Sequence, residues 1–181
     1  TVIDGKDVVY VHEQGSPGNL WRYTVHDPAD PAKDSWEQVG KRGSTVGSVA
    51  NGNAAYDPGR KLFVRTSGQG DSTKLVYWNL QAPGPANPSA LIVPVVADGT
   101  PFKSAKPLAI DYDPTTRAFY LWDGGSDLWR LDPPVDLVAG TWTVTRVIAD
   151  NAGPPLPAKN YVGAYGKWNY LPAYGTFVGT I

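Results

Sequence analysis

A chain of 181 residues fits a single domain long enough to bury roughly two thirds of its unfolded surface, so its size alone demands no covalent or metal staple. It has no cysteine, which excludes disulfides and thiolate metal sites. Lys and Arg number 16 against 17 Asp and Glu, and the resulting net charge of -1 predicts neither a nucleic-acid nor an anionic-membrane partner.

Glycine (20) and proline (17) are abundant, so turns must be frequent. No apolar run approaches the ~18 residues of a membrane span. The opening "TVIDGKDVVYVHE" has no basic region, apolar stretch or cleavage site, so an exported form would already have lost its signal. Along the chain, "DVVYVHEQGSPGNLWRYTV" (7–25) reads as a strand, a glycine-bearing break and a second strand. The stretch "KLFVRTSGQGDSTKLVYWNL" (61–80) repeats that plan, as does "AFYLWDGGSDLWRLDP" (118–133). In front of the last two stand "NAAYDPGR" (53–60) and "LAIDYDPTTR" (108–117). There proline fixes the first turn position, and Asp57 and Asp113 accept backbone hydrogen bonds as turn formers. A further copy begins at "KWNYLPAYGTFVGTI" (167–181), where Phe177 takes the place of Phe63 and Phe119. Proline or glycine interrupts every window in which a helical stripe could start, so the chain is all-β.

A period of roughly 50 residues with four strands in each unit points to a β-propeller of four-stranded antiparallel blades. "AFYLWDGG", "DLWRLDP" and "GTWTVTRV" (140–147) together resemble a kelch repeat, and residues 8–40 follow the same plan, with Trp21 matching Trp129 and Trp36 matching Trp142. The closing "GAYGKWNYLPAYGTFVGTI" is similar to the last inner-strand pair of secreted bacterial propeller proteins. The resemblance implies blades at about 1–50, 51–105 and 106–160 and a partial blade at 161–181, with the innermost strand missing from the first. It also implies a secreted, periplasmic or extracellular location and blade-packing roles for Trp21, Trp36, Trp129 and Trp142. Propellers have about 4 to 8 blades. Three and a half therefore imply a segment of a larger propeller, or a ring completed by another chain.

Catalytic patterns are scarce. His12 and His26 form no metal-binding pair and take ordinary surface or packing roles, and neither a nucleophile elbow nor a phosphate loop is present. The preferred function is a non-catalytic binding or assembly propeller, for carbohydrate or protein. The alternative is part of an extracellular carbohydrate-active enzyme or a propeller oxidoreductase. Radial repetition would gather "EQGSPGN" (13–19), "SGQGDST" (67–73) and "DGGSD" (123–127) at one mouth. Glu13, Asp71, Asp123 and Asp127 would make it acidic, with Trp122 and Arg130 beside it for stacking and charge pairing. No cofactor is called for. Asp123 and Asp127 are the residues that would suit calcium, although the EF-hand spacing is absent. The plainer reading is three solvated turns with no partner.

Overall fold

The structure is a computed structural model and describes residues 1–13, 17–44, 46, 52–67, 74–104, 108–123, 127–147 and 168–179. Its regular elements are strands, apart from one 3-10 turn at Pro31–Lys33. The first sheet comprises β1 (Val2–Ile3), β2 (Lys6–His12), β3 (Leu20–Thr24) and β4 (Ser35–Gly40). The second comprises β5 (Ala54–Asp57), β6 (Leu62–Ser67), β7 (Lys74–Asn79) and β8 (Ala90–Ile92). The third comprises β9 (Ala109–Asp113), β10 (Ala118–Trp122), β11 (Leu128–Asp132) and β12 (Thr143–Val147), and a hairpin of β13 (Trp168–Leu171) and β14 (Thr176–Gly179) follows. Each sheet pairs its strands antiparallel in chain order, and none closes on itself. The strand absent from the sequence reading of the first unit exists as β1, reduced to two residues paired with β2.

Local chemistry repeats from unit to unit. The residue just before the second strand is left-handed in all four: Gly5 (φ 74), Lys61 (φ 54), Arg117 (φ 55) and Gly175 (φ 59). In the second and third units the acidic turn formers behave as their sequence suggests. Asp57 accepts from the Gly59 and Arg60 amides at 2.9 and 3.1 Å, and Asp113 accepts from the Thr115 amide at 2.8 Å.

The sheets stack face to face in chain order. Leu20 and Val39 of the first meet Phe63, Val76 and Trp78 of the second. On its other face the second sheet places Val64, Leu75 and Ile92 against Ile110, Phe119, Leu121 and Leu131 of the third. Phe177 of the hairpin then packs near Ala109 and Trp122. Because side chains alternate along a strand, β6 serves both interfaces, and all six of its residues are buried.

Backbone contacts join the sheets at their outer edge in a recurring way. The segment leaving β4 runs parallel to the segment entering β8 (Lys41 beside Pro88), and the segment leaving β8 runs parallel to the start of β12 (Val95 beside Thr143). The first of these contacts is close. A Cβ on Gly43 would lie 2.0 Å from the Ser89 carbonyl oxygen, and one on Gly52 would lie 1.9 Å from that of Thr66. Only glycine fits at either place.

The four repeat-matched tryptophans do not share one environment. Trp142 is buried against Tyr77 with ring centres 5.4 Å apart, and Trp21 and Trp129 are half-buried. Trp36 is 58% exposed, because no sheet among the described residues lies over the outer face of the first sheet.

Candidate functional site

The three glycine-rich connections each join the second strand of a sheet to its third, between His12 and Leu20, Ser67 and Lys74, and Trp122 and Leu128. They therefore occupy equivalent positions in successive sheets. Asp71 lies outside the described residues.

The other candidate residues are engaged within the fold. Glu13 accepts from the Asn19 amide at 3.1 Å and from Trp21 Nε1 at 2.8 Å. Trp122 is 5% exposed, with Leu128 and Phe177 packed against it, so its ring faces the interior. Asp123 is half-buried. Asp127 accepts from Nε of Arg146 at 3.0 Å and also from its Nη2. Arg130 points along its own strand, donating from Nε (3.0 Å) and Nη2 (2.8 Å) to Asp132, and this pairing raises its pKa. Among the described residues no three His, Asp or Glu side chains come together to hold a metal ion.

A groove at the outer edge, between the second and third sheets, is lined by Tyr77, Leu91, Val93, Leu137, Val138 and Trp142. Its Tyr77 hydroxyl donates to the Leu137 carbonyl at 3.0 Å, so that polar group is already occupied. It offers apolar contact rather than acid–base chemistry.

The sequence reading passed over a different group of side chains, at the same end as the three connections. Arg65 on β6 shares a face with Phe63 and so points toward the first sheet. It is 7% exposed, and its buried Nη1 has no hydrogen-bond partner. Facing it from β2 is His12, whose ring centre lies 5.0 Å from that of Trp78 and whose two ring nitrogens are likewise buried without hydrogen bonds. Burial, reinforced by the charges of Arg65 and Arg42 and opposed by Glu13, lowers the His12 pKa to about 4. Burial also lowers the pKa of Arg65. The one signal in the sequence was an arginine inside the apolar run "KLFVRTS" (61–67), two residues beyond Phe63 on the same face.

No family model, no curated protein and no solved structure matches the chain, so its function is argued from this geometry.

Proposed function

We propose that the chain is a non-catalytic assembly module: a propeller segment whose first sheet receives a further β-sheet, from a longer form of the chain or from another chain. The observation that carries this reading is the outer face of the first sheet. Val2, Val9, Val11 and Trp36 there are 61%, 52%, 41% and 58% exposed, and they lie together with the half-buried Trp21 and Tyr23. In the second and third sheets the face turned toward the preceding sheet is covered, by Leu20 and Val39 in one case and by Val64 and Leu75 in the other. A contiguous apolar surface of this kind marks an interaction site. The occupant it suits is another sheet, because a sheet covers that face in each later unit.

Sedimentation velocity tests the reading. The expected outcome is self-association of the isolated chain that a Trp36→Ser, Val9→Thr double variant reduces, or capture of a separately produced β-sheet partner through the same face. A stable, well-folded monomer that neither associates nor binds a partner overturns it.

A further inference from the structure

We propose that Arg65, with His12 facing it across the first two sheets, forms a binding site for a small oxyanion, a carboxylate or a phosphate. Arg65 enters an interface whose buried cluster includes Leu20, Val39, Phe63, Val76 and Trp78, with Tyr10 and Tyr56 packed against it. None of the ion pairs among the described residues includes it, and the nearby carboxylate of Glu13 is held by Asn19 and Trp21 instead. A buried guanidinium without a counter-charge is costly to keep unless something negative completes it. Its planar fork of N–H donors matches two oxygens of a carboxylate or phosphate.

The surroundings favour the same class of ligand. Among the described residues, Arg65 and Arg42 act on His12 with positive charge and Glu13 with negative charge. His12 lies across the interface from Arg65 with both ring nitrogens buried, so its ring reports on what enters beside the guanidinium. Both residues belong to this chain, so the site does not depend on how the stack of sheets is completed.

The experiment uses the two histidines as reporters. Inorganic phosphate and succinate are titrated separately at fixed ionic strength while the imidazole resonances of His12 and His26 are followed by NMR. His26 bonds to Lys6 Nζ and Ser35 Oγ, both at 2.9 Å, and serves as the internal control. The expected result is a saturable shift confined to His12, with its pKa rising above about 4 as the bound anion favours the imidazolium. Phosphate acting alone would identify a tetrahedral oxyanion, and succinate acting alone a carboxylate. Arg65→Gln should weaken the binding at least about tenfold, while Arg65→Lys keeps the charge, loses the fork and falls between. If Arg65→Gln does not fold, the lysine variant carries the comparison. Thermal melts supply a second readout: the active anion should raise the Tm of the parent protein but not that of Arg65→Gln. Failure of both anions at millimolar concentration overturns the proposal, as does a His12 shift that survives unchanged without Arg65.

Discussion

At the scale of single residues, the two turn aspartates show how one sequence pattern acquires two strengths. Asp57 is fully buried and, besides its turn amides, accepts from Arg60 Nη1 at 2.8 Å; the same Nη1 donates to the Arg117 carbonyl of the next sheet, also at 2.8 Å. Asp113 serves its own turn and takes a further bond from the Thr116 hydroxyl at 2.7 Å. Asp57→Ala should therefore cost about 2 to 3 kcal/mol, since it leaves two turn amides without their buried acceptor and removes the charged partner of Arg60, and Asp113→Ala about 1 kcal/mol. Denaturant melts of the two variants give the order directly. Acid acts on Asp113 with a definite sign. Burial would raise its pKa, but the bonds from Thr116 and Thr115 outweigh that and lower it below 3.8. Its share of stability is thus present above the unfolded-state pKa and lost as pH falls through the folded-state one. Asp111 works in the opposite sense, because burial raises its pKa and its share is lost as pH rises. Melts of Asp113→Asn between about pH 4 and pH 2 should show a shallower loss than the parent protein. An equal slope would remove Asp113 from the acid response.

At the scale of elements, packing depends on which neighbour a strand face meets. Trp142 fills the interface between the second and third sheets beside Tyr77, and Trp129 contacts Phe102 with ring centres 5.1 Å apart. Trp142→Ala should lose about 3 to 5 kcal/mol of unfolding free energy, and the half-buried Trp129 somewhat less. Losses below about 1 kcal/mol for both would break the packing account. Much of this was legible in the sequence, because the period of aromatic strands and the Asp-Pro turns of Asp57 and Asp113 are local signals. The environment of Trp36 was not. The sequence aligned it with Trp142, but in the ladders Trp36 faces Tyr23 as the buried Val144 faces Leu131, and burial is decided by a neighbouring sheet that no local pattern encodes. The outer parallel contacts at Lys41 and Val95 were hidden for a similar reason, being single bridges with no periodicity to announce them. At the candidate site, the positions of the three connections could be read from the repeat. Their bonding could not: Glu13 with Trp21, Asp127 with Arg146 and Arg130 with Asp132 are partnerships fixed by register.

Across the whole molecule, protection should follow depth in the stack. Strand β6 has paired neighbours on both edges and a sheet against each face, whereas β14 pairs, among the described residues, with β13 alone and keeps Val178 42% exposed. Hydrogen exchange should accordingly be slowest at Leu62–Ser67 and fastest among the strands at Thr176–Gly179. Equal protection in the two would mean that the hairpin is covered in solution by something as effective as a sheet.

The close approaches at Gly43 and Gly52 carry an evolutionary consequence. Most loop positions between sheets can drift, because a new side chain there finds open water. These two cannot, since even a methyl group would strike the carbonyl of Ser89 and push the first sheet from the second, or strike that of Thr66 and part the lead into β5 from β6. In descendants of this chain the tryptophans and loop acids are free to diverge sooner than this pair of glycines. Ancestry in a diverged copy would therefore be recognised by two residues that have no side chain to recognise.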